Sequence, residues 1–201
     1  MLRYQLNPHF LFNTLNAINA LVRVGDSRLA GSMIQLLSRF LRHSLKQENK
    51  GLVPLGEELE SLMLYLDIEK ARFAERLSLA FAIAPESRQA MVPEFILQPI
   101  VENAMEHAIT PSEDGGTVSL TSRVQGDKLL LEIADNGPGM GANAIDESQG
   151  IGLGNTRTRL STLYAENYTF TTADAEPSGL IVRLCIPYVV SVTPDTAMEN
   201  T

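Results

Sequence analysis

Apolar residues recur at three- and four-residue spacing from the start of the chain. Over residues 8–24, Leu11, Leu15, Ile18 and Val22 fall on one stripe of a helix. His9, Asn13, Asn16 and Ala20 form a second row on roughly the opposite side. The pattern predicts a helix whose histidine points away from the apolar stripe. Gly25 breaks the run, and Asp26 or Ser27 is placed to cap the next helix. Over 28–47, Leu29, Met33, Leu36, Leu37, Phe40, Leu41 and Leu45 repeat the spacing, so a helical hairpin is expected. Two helices have little core of their own. Pairing with a second copy into a four-helix bundle is the expected remedy.

The segment QENKGLVP (47–54) is polar, and Gly51 and Pro54 mark an expected boundary. It separates a first unit, residues 1–50, from a second, residues 54–190. A third helix is predicted over 55–73. Beyond it the period changes. Residues 77–84 alternate as a strand does, and 94–109 read as a helix. Residues 117–124 and 128–134 read as a hairpin turning at Gln125, Gly126 and Asp127. A helix over 154–165 and strands over 169–172 and 180–186 follow. Residues 191–201 are a polar tail. There are no internal repeats. The expected fold class is α+β: a helical hairpin followed by a sandwich of helices on an antiparallel-leaning sheet.

Composition narrows the function. The 201 residues are 44% hydrophobic with a formal net charge of -8, and the pI is about 4.9. That is not the basic footprint of a nucleic-acid binder. It leaves nucleotide binding open, because a local site can be built from backbone N–H groups and a metal ion. The single cysteine, Cys185, lies in an apolar strand-like run and reads as a buried, inert thiol. No apolar run reaches the ~18–20 residues of a membrane span. The first residues lack a signal-peptide core, and the helical pattern is already under way at Leu2. A sensor or membrane segment upstream is therefore expected.

Three segments carry candidate chemistry. DNGPG (135–139) follows the apolar run 129–133, and its two glycines let the backbone turn sharply and approach a ligand. GIGLGN (150–155) leads into a helix. Spaced glycines before a helix N-terminus make a phosphate cradle, since unpaired N–H groups face the anion and no Cβ obstructs it. Either cluster by itself also reads as an ordinary turn. There is no GxGxxG opening a βαβ unit and no GK[ST] phosphate loop. In QPIVENAMEH (98–107), Asn103 and His107 are four apart and share a helical face with Pro99, while Glu102 and Glu106 form a neighbouring row. The amide oxygen of Asn103 suits a hard cation such as Mg²⁺. A capping or hydrogen-bonded asparagine is the alternative.

Taken in order, PHFLFN (8–13), QPIVENA (98–104) with His107, DNGPG, and GIGLGN with Arg157, Arg159 and Leu160 resemble the LytS-type sensor histidine kinases. LGEEL (55–59) and YLDIEKARF (65–73) are similar to further segments of that family. The resemblance implies a dimerising hairpin that carries the phosphoacceptor, His9. It also implies a GHKL (Bergerat) type ATP-binding sandwich of the kind shared with gyrase, Hsp90 and MutL. By the same resemblance Asn103 holds Mg²⁺, and Asp135 accepts a hydrogen bond from the adenine amino group of ATP. Gly137 and Gly139 shape the adenine pocket. Gly150, Gly152, Leu153 and Gly154 line the phosphates beneath a lid at about 140–150. His107 either contacts the phosphates or caps its helix. Such proteins are generally homodimers anchored to the membrane through upstream segments. They pass the phosphoryl group to an aspartate on the receiver domain of a response regulator, on the cytoplasmic side. Two departures stand out. Glu106, His107 and Ala108 replace the common lysine, histidine and glycine, and Leu180 follows Gly179 where the family usually has threonine.

The chemistry suits histidine. An imidazole titrates near ~6.5 and offers a lone pair to a γ-phosphorus without a strong base. Phe10 follows His9 where many sensor kinases have an acidic residue. Asn13, one turn on, is expected to orient the ring by bonding one nitrogen and leaving the other as nucleophile. Pro8 either lets an upstream signal alter the presentation of the ring or simply starts a helix capped by Asn7. His43 is expected to face solvent. Arg157 and Arg159 read as phosphate neighbours or as a solvated face. The leading expectation is an ATP-dependent protein-histidine kinase. The alternatives are a nucleotide-binding regulatory module and a GHKL-fold ATPase in which Glu102 or Glu106 activates water.

Overall fold

Asn7 starts the first helix. Its side-chain oxygen accepts hydrogen bonds from the amides of His9 (3.0 Å) and Phe10 (3.4 Å), and Pro8 occupies the first turn, where its missing N–H is no loss. The capped helix start is thus the arrangement found at Pro8. The computed structural model describes residues 7–46, 51–139 and 151–190. Helix α1 (Pro8–Val24) ends on Gly25, whose φ of 83° makes the left-handed turn that returns its N–H to Leu21 and Val22. The Asp26 carboxylate then accepts from the Leu29 amide at 3.0 Å and starts α2 (Ser27–Lys46).

The hairpin forms where the periodicity puts it, but α1 is rotated from the expected stripe. Phe10, Thr14 and Ile18 are its buried residues. Leu15 and Val22 stay 52% and 59% exposed. Two contacts explain the rotation. The Phe10 ring meets Phe40 of α2 edge-on at 5.3 Å and Tyr65 at 4.8 Å, and an aromatic side chain carries more burial energy than a leucine or valine. Thr14 can be buried because its hydroxyl donates to the Phe10 carbonyl at 2.9 Å.

Helix α3 (Leu55–Phe73) follows, with Glu57 and Glu58 in its first turn and Lys70 and Arg72 in its last, as the helix dipole favours. It packs against the hairpin on one side. His43 of α2 is half-buried there, its Nε2 2.6 Å from the Ser61 hydroxyl, and so does not face solvent as expected. A short antiparallel pair, β1 (Leu52–Pro54) with β3 (Met91–Pro93), ties the start of α3 to the chain entering α4. Three-residue strands bounded by prolines leave little periodic signal, and the sequence reading has no strand at either place.

The sheet has five strands in the order β2–β4–β5–β7–β6: β2 (Leu77–Ile83), β4 (Gly116–Gln125), β5 (Lys128–Asp135), β7 (Leu180–Pro187) and β6 (Thr169–Asp174). Only β2 with β4 is parallel; the other pairs are antiparallel. Alternate residues point to one face, where Val118, Leu120, Leu131, Ile133, Val182 and Leu184 are buried. Burying each such side chain contributes ~1.5–3 kcal/mol. Helices α4 and α5 cover that face through Ile100, Val101, Ala104 and Leu160. The other face carries Thr121, Glu132 and Arg183, with an exposed Arg183–Glu132 pair at 2.6 Å.

Helix α4 (Gln98–Ala104) begins four residues later than expected and continues as a π-helical turn, Met105–Ile109. The cause of the late start is Glu58. Its buried carboxylate takes the amides of Phe95 (2.8 Å) and Leu97 (3.0 Å), and Phe95 sits at φ 56°. Those amides are held by a side chain, so residues 94–97 form a turn. Helix α5 (Ile151–Tyr164) starts earlier than expected and takes Gly152, Leu153 and Gly154 into its first turn. The expected hinge at 47–54 is described only from Gly51. The expected lid at 140–150, with Gly150, and the polar tail lie outside the described residues.

Candidate active site

His9 and Phe10 are neighbours on α1 with opposite fates: the imidazole is exposed and the phenyl ring is buried. The Phe10 pin fixes the first turn of α1 against α3, and Asn7 joins it to α4. The Asn7 amide donates to Glu102 Oε2 at 3.2 Å, while Gln98 donates to Glu102 Oε1 at 2.8 Å. Burial raises the Glu102 carboxyl above its ordinary range, the hydrogen bonds from Gln98 and Asn7 oppose the rise, and Glu106 adds to it. With both oxygens already accepting hydrogen bonds, Glu102 is poorly placed to activate a water.

The Asn13 amide nitrogen lies 3.2 Å from His9 Nε2 and 3.4 Å from Nδ1. The two ring nitrogens flank one carbon, so a group almost equidistant from both lies over the ring and does not point along one lone pair. Asn13 therefore restrains the ring without selecting a tautomer. A small cleft beside the imidazole is lined by Asn13, Tyr65, Glu69, Arg72, Glu102 and Glu106, among others. Tyr65, Glu69 and Arg72 are residues that the sequence reading did not assign. Their signal was present: two charges, at 69 and 72, lie on the face of α3 that otherwise carries Leu62, Tyr65, Leu66 and Phe73.

The second half of the site is built around Asp135, at the end of β5. Its Oδ1 accepts from the Gly137 amide (2.9 Å) and the Leu180 amide (3.2 Å), and among the described residues Oδ2 takes no hydrogen bond. Burial raises the Asp135 carboxyl, the two amides oppose the rise, and the charge of nearby His107 opposes it further. Leu180 serves through its main chain, so the loss of a threonine there does not remove this contact. Gly137 sits where a Cβ would be 2.5 Å from the Ala108 Cβ, which presses the DNGPG loop onto the π-turn of α4. A Cβ on Gly179, at φ 116°, would lie 1.9 Å from the Asp135 carbonyl oxygen. Gly139, at φ 75°, closes the loop.

Asn103 lies between the two halves, half-buried on α4 and without a hydrogen-bond partner among the described residues. A free amide oxygen fits a hard cation that takes most of its ligands from phosphates and water. Among the described residues no three His, Cys, Asp or Glu side chains gather into a metal cluster. The first turn of α5 offers bare backbone. A Cβ on Gly154 would meet nothing within 4 Å, and one on Gly152 would only touch Pro99 of α4, at 3.6 Å. The Leu153 side chain is buried, so any part it takes in binding is through its amide. Arg159 turns away from this end and donates to the Glu94 and Gly51 carbonyls, and Arg157 lies 5.7 Å over the Phe170 ring.

Two family models match. One, described as histidine kinase, covers residues 1–77 and takes in α3. The other, described as histidine kinase-, DNA gyrase B-, and HSP90-like ATPase, covers residues 92–190. The sensor histidine kinase BtsS of Escherichia coli is 39% identical over 188 residues, which are 94% of this chain and 33% of that protein. The sensor protein LytS of Staphylococcus haemolyticus is 34% identical over 81% of this chain and 30% of its own. The chain thus spans about a third of the length of the curated relatives it matches. Among solved structures, the histidine kinase domain of a blue-light activated histidine kinase from Erythrobacter litoralis superposes with a TM-score of 0.55 at 17% identity, over 90% of this chain and 93% of that one. The catalytic domain of histidine kinase ThkA gives 0.55 at 16% identity, over 70% and 97%. These two likenesses establish the fold.

Proposed function

The chain belongs to the sensor histidine kinases, of LytS type, and from that premise we propose that it phosphorylates its own His9 with Mg-ATP and passes the phosphoryl group to an aspartate on a response regulator's receiver domain. The observation that carries the reading is the Asn7–Glu102 hydrogen bond at 3.2 Å. It joins the start of the His9 helix to the residue preceding Asn103, and so sets the phosphoacceptor beside the helix assigned to the nucleotide.

Bound Mg-ATP would supply a γ-phosphoryl group whose charge the metal partly neutralises. Asn103 would hold the metal. The free Oδ2 of Asp135 would accept from the adenine amino group, in a pocket shaped by Gly137 and Gly139. The amides of Gly152, Leu153 and Gly154 at the head of α5 would meet the phosphates, with Gly150 and His107 assigned beside them. Asn13 restrains the imidazole.

The arm also points to a homodimer. Phe12, Leu15 and Val22 on α1, with Ile34 and Leu45 on α2, are exposed large apolar residues at helical spacing. A second copy of the hairpin would cover them in a four-helix bundle. Among the described residues no helix is long and apolar enough to cross a membrane. In this reading the chain works on the cytoplasmic side, and segments outside this sequence supply the anchor.

Incubation with γ-labelled ATP and Mg²⁺ tests the reading. Acid-labile, alkali-stable label that disappears in His9→Gln is the expected result. Free phosphate without labelled protein would replace the kinase by an ATPase. Nucleotide binding with neither product would leave a regulatory module.

A further inference from the structure

The cleft beside His9 holds an unusual charge balance. Three carboxylates line it, from Glu69, Glu102 and Glu106, and the only fixed cation among its lining residues is Arg72. A phosphoryl group arriving on the imidazole would bring further negative charge into this cleft, and like charges at short range repel. The arriving group needs a cationic partner already in place.

Arg72 is set up to be that partner. Its Nη1 donates to both oxygens of Glu69, each at 3.2 Å, and Glu69 is itself buried. The guanidinium stacks 4.5 Å over the Phe73 ring. The Arg72 side chain is only 19% exposed. Glu69 and Phe73 thus fix its position and plane, yet only one of its three nitrogens is used. Among the described residues Nη2 and Nε have no acceptor. A largely buried guanidinium with two nitrogens unused, on the wall of the phosphoacceptor's cleft, is suited to a tetrahedral anion, because its fork matches two oxygens at once.

We propose that Arg72 is a further catalytic residue, whose Nη2 and Nε bind the oxygens of the phosphoryl group as it reaches His9. The proposal rests on His9 being the phosphoacceptor. In the transfer a ring-nitrogen lone pair of His9 forms the N–P bond while the bond from the γ-phosphorus to its bridging oxygen breaks. The electron pair leaves with ADP, and the proton on the opposite ring nitrogen passes to solvent. Arg72 neutralises charge on the equatorial oxygens throughout, and Glu69 keeps the guanidinium aimed.

Removing Arg72 alone would strand the buried Glu69 carboxylate and could unfold the chain. The test therefore uses the paired variant Glu69→Gln/Arg72→Gln, with Arg72→Lys as a charge-preserving comparison and a thermal melt as the folding control. Two phosphoryl donors separate the proposal from the reading beneath it. The first is γ-labelled ATP with Mg²⁺. The second is phosphoramidate, which modifies histidine without a nucleotide, ammonia leaving with the electron pair. Label is followed on the His9 peptide by mass spectrometry. From ATP, the paired variant should label at least thirtyfold more slowly with unchanged affinity for a fluorescent ATP analogue, and Arg72→Lys should fall between. From phosphoramidate, the half-life of phospho-His9 should shorten about fivefold in the paired variant. Equal half-lives overturn the arginine contact, whatever the ATP-dependent rates. Unequal half-lives with no labelling of any form by ATP overturn the kinase reading and uphold the contact.

Discussion

The two halves of the site are made from different materials. Around Asp135 the partners are main chain: the amides of Gly137 and Leu180, and glycines at 137 and 179 where no Cβ fits. Around His9 the partners are side chains from three helices: Asn7 and Asn13 of the arm, Tyr65, Glu69 and Arg72 of α3, and Glu102 of α4. A backbone pocket is fixed once the sheet folds. A side-chain cleft depends on how three helices sit against one another. The nucleotide half is thus suited to constant binding, and the phosphoacceptor half to being adjusted.

The most damaging way to break this contrast is Gly179→Ala. The added Cβ would collide with the Asp135 carbonyl at a φ that L-residues rarely adopt, so a loss of about 4 kcal/mol is expected. Urea unfolding measures it. Nucleotide affinity should fall with it, because the Leu180 amide that holds Asp135 would shift. A loss under about 1 kcal/mol would show that the pocket yields, against the contrast drawn above.

The next largest effect concerns the joint between the halves. Glu58 of α3 holds the turn before α4, and burial raises its carboxyl to about 7, with the amides of Leu97 and Phe95 and the charge of Arg159 opposing and Glu94 adding to the rise. The folded state therefore binds this proton more tightly than the unfolded chain does. The stabilisation is complete below pH ~4.5 and is lost as pH rises through about 7, a change of about 3 kcal/mol. Glu58→Gln keeps one acceptor and cannot titrate. The difference in unfolding free energy between wild type and Glu58→Gln should change by that amount across the window, in favour of the variant at high pH. A flat difference would remove Glu58 as a titrating joint.

The smallest effect sharpens the arm's side. Asn7→Ala deletes a helix cap and the donor to Glu102, and should lower stability by about 1 kcal/mol. Amide hydrogen exchange should quicken in the first turn of α1 and stay unchanged in β5 and β7. Equal quickening in both would mean that the halves are not mechanically separate.

The same contrast explains what the sequence made legible. Main-chain demands leave fingerprints: DNGPG, the glycines of α5 and Asn103 could be placed because only certain residues serve there. Helix extents were legible from period, with 8–24 and 55–73 matching α1 and α3. The rotation of α1 was not, because Leu15 and Val22 score as well as Phe10 and Thr14 until Phe40 and Tyr65 are known to face the latter. Nor was the His9 cleft, whose walls are drawn from segments as far apart as Asn7 and Glu102. The late start of α4 depended on a carboxylate thirty-seven residues away from Phe95.

Phe10, seated between Phe40 and Tyr65 one position after the exposed imidazole, has a mechanical consequence. Adjacent helical residues are about 100° apart, so the plug and the reactive ring turn as one. Torque sent down this arm meets a detent: the ring cannot creep toward a new bearing by small degrees, and re-aiming it requires the aromatic seat to let go.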